Sequence, residues 1–275
     1  MTTSGELGTG IQSRQKPAPA PGRERGLRRS MLDKIRDIGL EARETTGRVT
    51  ALPASASEVS SLIRLAGSEG WLVAPDWLAL QSGEREVLSV SVERMDDISE
   101  VVPQDLMAVV GAGVRVGALV ERAARDELCW PMAELLSPDA LVGDVFSRLP
   151  GSWTLEGNLA RRYLLTVDGV MADGSVLRAG ARTVKSVTGY DIRQLLVGSR
   201  GVLGLVIGLT LRLEAKANLE MVIRRYSREF GGLSEDLFVA PKGREEEDGS
   251  RVILGRLKAE LDPDGVFPSV DDAFP

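Results

Sequence analysis

The residues best suited to chemistry lie in the stretch 185–204, which reads Lys-Ser-Val-Thr-Gly-Tyr-Asp-Ile-Arg-Gln-Leu-Leu-Val-Gly-Ser-Arg-Gly-Val-Leu-Gly. Each glycine costs roughly 0.5–1 kcal/mol of backbone entropy relative to alanine, so this density needs a reason. Glycine lets the backbone approach a flat ring or a phosphate closely, and we favour that interpretation. The alternative is a tight connection between a helix and a strand that merely needs glycine.

The composition limits acid–base chemistry, because the sequence contains no histidine. A histidine base, a histidine metal ligand and a histidyl bond to a cofactor are therefore excluded, and no metal site is predicted. Proton transfer would have to use a carboxylate, a lysine, a tyrosine or Cys129. Cys129 is the single cysteine, and in its setting, Glu-Leu-Cys-Trp-Pro, we interpret it as a small buried hydrophobic residue.

Charge and hydropathy narrow the class of protein. The 40 acidic and 34 basic residues give a net charge of −6, which argues against a nucleic-acid partner. We expect no transmembrane segment, because no apolar run approaches roughly 18 residues. The first residues lack the apolar stretch of a secretory signal, so we expect a cytoplasmic protein.

Alternating helix and strand signals predict an α+β fold. Apolar residues at helical spacing predict a helix over 27–42, after an extended leader over 1–26. Ser55 and Glu58 form a capping box that opens a helix, and Asp173-Gly174 is typical of a hairpin turn. Strands are predicted at 48–52, 71–74, 86–90, 98–102, 107–110, 164–171, 175–178, 205–213 and 220–226, and further helices at 114–128 and 137–148.

The glycine-rich stretch also carries a family resemblance. Lys-x-x-x-Gly-Tyr-Asp-Ile followed by Leu-x-x-Gly-Ser-x-Gly-x-Leu-Gly resembles the PCMH-type FAD-binding domain of the vanillyl-alcohol-oxidase superfamily. The nearest branch is that of glycolate oxidase FAD-binding subunits. Weaker similarity covers residues 49–213, and 257–267 resembles the family's closing segment. The resemblance implies two subdomains, roughly 45–110 and 111–214, with the flavin between them.

The resemblance implies FAD as cofactor and a set of residues that bind it. We expect the FAD to be noncovalent, because histidine is absent and Cys129 lies away from the motif. Asp191 is interpreted as a turn cap, and no catalytic residue is predicted. The predicted cofactor-binding residues are Lys185, Gly189, Tyr190, Gly198, Ser199, Gly201, Gly204 and Val206.

The sequence departs from the family pattern in two ways. Where the family has a glycine-rich loop that cradles the pyrophosphate with backbone amides, residues 73–83 read Val-Ala-Pro-Asp-Trp-Leu-Ala-Leu-Gln-Ser-Gly. Around 140–146, Gly143 alone remains of the usual paired glycines, with Asp144 and Phe146 expected to fill the space. The stretch 215–275 is also too short for a full substrate-binding cap. Weak or lost FAD binding is therefore expected.

Three functions follow from these observations. We favour an FAD-binding oxidoreductase subunit of a glycolate-oxidase-like complex, in which the flavin takes electrons from a 2-hydroxy acid. The alternative is a degenerate, non-catalytic scaffold subunit of a redox complex. A nicotinamide-binding protein has little support, because the glycine spacing in 111–117 does not fit the dinucleotide fingerprint.

A partner is expected under either of the first two functions. We expect a hetero-oligomer with a capped flavoprotein, an iron–sulfur protein or both. The expected organisation has a leader and amphipathic helix over 1–44, the FAD-binding domain over 45–214 and a shortened segment over 215–275. The helix over 27–42 is predicted to pack on the domain or on a partner, and deletion of 1–44 is expected to weaken assembly while leaving the core folded.

Overall fold

A computed structural model of the chain describes residues 21–45, 47–80, 85–149, 161–181, 192–230 and 246–274. Helices and strands form an α+β fold, as the sequence predicts. The helices are α1 Pro21–Asp37, α2 Ala56–Glu69, α3 Val116–Ala124, α4 Val142–Arg148, α5 Leu219–Phe230, α6 Glu246–Leu261 and α7 Val270–Ala273. The strands are β1 Ala42–Thr45, β2 Arg48–Ala51, β3 Leu72–Pro75, β4 Val87–Val90, β5 Ile98–Val102, β6 Met107–Gly111, β7 Leu128–Cys129, β8 Leu164–Val170, β9 Val176–Gly180, β10 Leu205–Arg212 and β11 Glu214–Ala215.

The first sheet has the strand order β1-β2-β4-β3. β2 and β3 both pair with β4 in parallel, and β1 is antiparallel to β2. Helix α2 makes the crossover between β2 and β3. It starts where predicted, because the Ser55 hydroxyl accepts a hydrogen bond from the Glu58 amide at 3.2 Å. The Glu58 carboxylate reaches back to the Ala54 amide, one residue before the expected partner, and Gly70 ends the helix with a left-handed φ of 69°.

The second sheet is antiparallel throughout, with the order β5-β6-β10-β8-β9. Its central strand β10 therefore carries the end of the glycine-rich stretch into the middle of the sheet. The predicted β8–β9 hairpin is confirmed, with Gly174 at a φ of 77°. The implied division at residue 110 is wrong, because β5 and β6 pair within the second sheet and the chain crosses between sheets at 91–97.

The described residues after β11 are helical. The predicted strand over 220–226 is wrong, since these residues lie in α5, where a helical turn pairs Glu220 with Arg224 at 3.2 Å. Helix α6 and the segment after it pack on the edge of the first sheet, where the Val73 amide donates to the Val266 carbonyl at 2.7 Å. Asp262, only 2% exposed, accepts from the amides of Val266 and Phe267 at 2.7 and 2.9 Å.

Helix α1 belongs to the core of the domain. It begins at Pro21, inside the predicted leader, and packs against β1 and β2. Met31 and Ile35 are 2% and 0% exposed. Deletion of 1–44 would remove these buried side chains and most of strand β1, so the burial of α1 argues against the expectation that the core stays folded without it. Among the described residues, no helix combines the length and the apolar character that crossing a membrane requires.

Replacement of Ile35 by alanine tests the structural role of α1. Ile35→Ala should lower the free energy of unfolding by about 2–4 kcal/mol, because a fully buried side chain leaves a cavity. Ile38→Ala is the matched control, since Ile38 is 41% exposed and its loss should change stability by less than about 0.5 kcal/mol. Urea unfolding measures both variants, and equal small effects would show that α1 is peripheral.

Candidate functional site

The described part of the glycine-rich stretch forms the loop that enters β10. Gly198, Ser199, Gly201 and Gly204 follow a short 3-10 turn, Ile192–Leu195, and Val206 lies in β10. Lys185, Gly189 and Tyr190 lie outside the described residues, and so does Asp191. The structure therefore brings together five of the eight predicted cofactor-binding residues.

The three described glycines of this loop each lie close to protein backbone or side chains. Gly198 has a φ of 72°, and a Cβ added there would lie 2.6 Å from the Leu149 carbonyl oxygen. At Gly201, with a φ of 81°, it would lie 2.7 Å from the Pro75 ring. At Gly204 it would lie 2.8 Å from the Val170 carbonyl oxygen. These glycines thus allow three segments of the chain to meet, and their contact with flavin remains a prediction.

Ser199 and Val206 are both buried. The Ser199 hydroxyl donates to the Leu196 carbonyl at 2.9 Å, so it stabilises the loop locally. Val206 is 5% exposed and pairs with Gly169 of β8 beside an irregularity in the β8–β10 register. Their contacts with FAD likewise remain predictions.

The loop after β3 reaches across to helix α4. The Trp77 indole N–H donates to Asp144 Oδ1 at 3.0 Å, and the Arg148 guanidinium lies over the indole, 4.9 Å from its centroid. The sequence identified the segments 73–83 and 140–146 separately as altered. It contained no signal that a side chain from one would bind a side chain from the other.

The residues of α4 have three different environments. Gly143 lies against the turn after β6, where an added Cβ would be 2.5 Å from the Ala112 Cβ. Phe146 is fully buried and stacks on Trp130 with centroids 6.1 Å apart, so it fills the core rather than the space beside the loop. Asp144 and Arg148 are the α4 residues that contact Trp77.

The Asp144 carboxyl is electrostatically unusual. Burial raises its pKa from 3.8 to about 7, and the nearby Asp76 carboxylate acts in the same direction. The hydrogen bond from Trp77 and the Arg148 charge oppose the shift without cancelling it. Near neutral pH a large fraction of Asp144 is therefore uncharged in the folded protein.

The rest of the loop after β3 is held by a second apolar cluster. This cluster covers the loop from the side of the carboxyl-terminal helices, and Arg200 links it to α7 by donating to the Ala273 carbonyl at 2.9 Å. The Arg200 guanidinium also lies 5.0 Å from the Phe274 ring centroid. The buried members of the cluster are Ala74, Leu78, Leu80, Val202, Leu203 and Ala273.

Cys129 lies apart from this site, in β7 beside β11. Burial, followed by the charges of Glu214 and Glu134, raises the pKa of its thiol. A thiol held in the neutral form is a poor nucleophile, which agrees with the interpretation of Cys129 as an unreactive residue. Within the described ranges, no cluster of three or more Cys, Asp or Glu side chains is arranged to hold a metal ion.

Comparison with known proteins identifies the class of the fold. The family model of the FAD binding domain matches residues 48–180, just under half of the chain, so over that stretch the chain is similar to FAD-binding domains. The recognition from the glycine-rich stretch is thereby confirmed, and the match supports FAD as the cofactor.

Particular relatives are FAD-linked oxidoreductases. The chain is 29% identical over 170 residues to a D-lactate dehydrogenase of Archaeoglobus fulgidus, covering 60% of this chain and 38% of that protein. It is 28% identical over 125 residues to the glycolate oxidase subunit GlcD of Bacillus subtilis, covering 45% and 27%. The chain thus spans well under half the length of these relatives.

A solved structure with a similar fold is that of an alkyldihydroxyacetonephosphate synthase. The TM-score is 0.50 at 18% sequence identity, and the match covers 61% of this chain and 31% of that chain. At this identity the likeness concerns the fold alone. It confirms the α+β architecture predicted from the family resemblance.

The described residues on the predicted diphosphate side do not fit a diphosphate. In the loop after β3, the amides of Asp76 and Leu78 already donate to the carbonyls of Val90 and Pro75, both at 3.0 Å. Asp76 and Asp144 would bring carboxyl groups towards a ligand that carries like charge. Phosphate oxygens need free amides and positive charge, whereas two amides of this loop are engaged and the Asp76 and Asp144 carboxyl groups lie close together here.

Neutralising Asp144 should change the pH dependence of stability. The folded-state pKa is raised to about 7, so the unfolded chain loses its proton at lower pH and stability falls as pH rises from about 4 to about 7. Between pH 5 and pH 8 the free energy of unfolding of the wild type should fall by up to roughly 3 kcal/mol because of this group. This figure follows from 1.36 kcal/mol for each unit of pKa difference between the folded and unfolded states.

Asp144→Asn keeps an oxygen acceptor for Trp77 and removes the titration. Urea unfolding at pH 5 and pH 8 should show a smaller loss of stability in the variant than in the wild type. Identical losses in the two proteins would contradict the raised pKa.

Replacement of Gly201 tests the contact between the loops. Gly201→Ala should lower the free energy of unfolding by about 1–3 kcal/mol, because the left-handed φ is strained for alanine and the methyl group meets Pro75. Gly255→Ala in α6 is the control, since nothing lies within 4 Å of an added Cβ there. The free energy of unfolding of Gly255→Ala should rise by about 0.5–1 kcal/mol, because alanine favours a helix more than glycine does. A gain in both variants would mean that the loop contact is loose.

Proposed function

We propose that this protein is an FAD-binding subunit of an oxidoreductase complex similar to glycolate oxidase, which takes electrons from a 2-hydroxy acid. The observation that carries the proposal is the match of residues 48–180 to the FAD binding domain. The names of the relatives support the substrate class, since D-lactate and glycolate are both 2-hydroxy acids. The name of the Bacillus subtilis relative supports membership in a multi-subunit enzyme.

In this proposal the protein's own residues position the cofactor rather than react. Bound FAD would supply the electron-accepting chemistry. The loop 198–204 would form a wall beside the flavin ring, together with Lys185, Gly189 and Tyr190. Val206 would contact the adenine end through its backbone.

A partner subunit would supply the substrate pocket in this proposal. The described residues after β11 form α5, α6 and α7, and α6 and α7 pack against the flavin domain itself. The subunit designation of the Bacillus subtilis relative supports a site completed by another chain, for which a capped flavoprotein or an iron–sulfur protein is the expected partner type.

A second candidate function is favoured by one observation. The hydrogen bond from Trp77 to Asp144 joins the two segments between which the family resemblance places the diphosphate. A subunit that keeps the fold but serves as a non-catalytic scaffold in a redox complex would have this feature.

Purification from the native host distinguishes the two functions. A tagged chain should be isolated with its partners, and the flavin released by denaturation should be identified by chromatography and counted per copy of this chain. If the complex holds more flavin than its partner subunits bind on their own, the proposal that this chain is an FAD-binding subunit is supported. Flavin carried by the partner alone supports the scaffold.

The complex should also be assayed with glycolate and D-lactate and an artificial electron acceptor. Oxidation by the complex but not by the isolated chain is the expected result. If the isolated chain oxidises these substrates, or if neither the complex nor the isolated chain does, the proposal that a partner completes the substrate site is contradicted.

A further inference from the structure

We propose that Trp77 is a plug on the diphosphate side of the flavin crevice, and that its removal increases the affinity of this chain for FAD. The proposal deepens the proposed function, on which it rests for the identity of the ligand. It concerns what the chain's own side chains do at that place, and it makes Trp77 the residue that sets how tightly the dinucleotide is held.

The indole is held firmly in its position. Its N–H donates to Asp144 at 3.0 Å, and Arg148 covers one face at 4.9 Å from the centroid. On the side before Trp77, Pro75 packs against the loop at Gly201. On the side after it, Leu78 and Leu80 are buried in the second apolar cluster. The tryptophan is therefore part of a packed junction between the two sheets.

Four backbone amides near the plug are engaged with protein carbonyls. In the loop after β3, Leu78 and Leu80 donate to the carbonyls of Pro75 and Leu78, at 3.0 and 3.1 Å. At the start of α4, Val142 and Gly143 donate to the carbonyls of Val114 and Ala112 at 2.9 and 2.8 Å. A diphosphate binds to amides that point at it without a competing acceptor. Binding here would require these bonds to open together with the displacement of Trp77.

The charges at the junction, like its packing, disfavour the binding of a diphosphate. Asp144 and Asp76 both lie at the junction, since Asp76 contributes to the raised pKa of Asp144. A bound diphosphate would add negative charge beside these carboxyl groups. Arg148 is the cation that acts on Asp144, and its guanidinium already covers the indole.

The test compares full-length wild type with Trp77→Gly, titrated with FAD and with riboflavin. Flavin fluorescence measures binding, and Trp77→Phe is the matched control that keeps an aromatic ring in place. Trp77→Gly should bind FAD at least about tenfold more tightly than wild type. Riboflavin, which has no phosphate, should bind all three proteins within about twofold. Trp77→Phe should remain close to wild type for both ligands.

The proposal is overturned if Trp77→Gly binds FAD no more tightly than wild type, or if riboflavin affinity rises in parallel. If circular dichroism shows that Trp77→Gly is unfolded, the double variant Asp76→Asn, Asp144→Asn keeps the packing and removes the carboxylates. It should bind FAD about threefold or more tightly than wild type, with riboflavin unchanged. Unchanged FAD affinity in that variant would equally overturn the proposal.

The outcome is independent of the test of the proposed function. A native complex in which this chain carries no flavin would defeat the proposed function, and the gain of FAD binding in Trp77→Gly would still stand. A chain that carries flavin in its complex, together with a Trp77→Gly variant that loses FAD affinity, would defeat the plug alone.

Discussion

The contact between three segments, the loop after β3, helix α4 and the loop before β10, holds the two sheets together. Gly198 lies against Leu149 and Gly201 lies against Pro75, at distances that leave no room for a side chain. The Gly198 amide also donates to the Phe146 carbonyl at 2.8 Å. The position of β10 in its sheet, of α4 on the core and of Trp77 between them all depend on this close approach.

A buried carboxyl group at such a junction is tolerated because its raised pKa keeps a large fraction of it uncharged near neutral pH. Burial of an ionised carboxylate beside another acid would be costly, and Asp144 avoids the cost through its raised pKa and its hydrogen bond from Trp77. The pair therefore joins two segments as a polar but mostly neutral contact. The same arrangement bears on ligand binding. The junction contains the Trp77 indole and the carboxyl groups of Asp76 and Asp144, which do not suit an anionic ligand.

Local signals predicted most of the elements, and pairing between distant segments decided the rest. Strand positions followed from apolar runs bounded by turns, and the start of α2 followed from Ser55 and Glu58. Helices α3 and α4 start later than predicted, because Arg115 and Leu141 pair as an isolated bridge just before them. Helix α3 also ends earlier, because Glu127 has a left-handed φ of 56° and Leu128 pairs with Ala215 of β11. The division between the sheets was misplaced, because β6, which pairs with β5, finds its other partner about a hundred residues further along the chain in β10.

The sequence by itself indicated the similarity to FAD-binding domains, since the spacing of glycines, serine, tyrosine and aspartate over 185–204 is a local pattern that can be recognised in the linear order. It also determined that this chain contributes no histidine to the chemistry. Only the tertiary structure decided that Gly201 faces Pro75, that α1 is core and that Trp77 binds Asp144. Those contacts join residues far apart in the chain, and their energies depend on burial and geometry that arise only when the two sheets are packed.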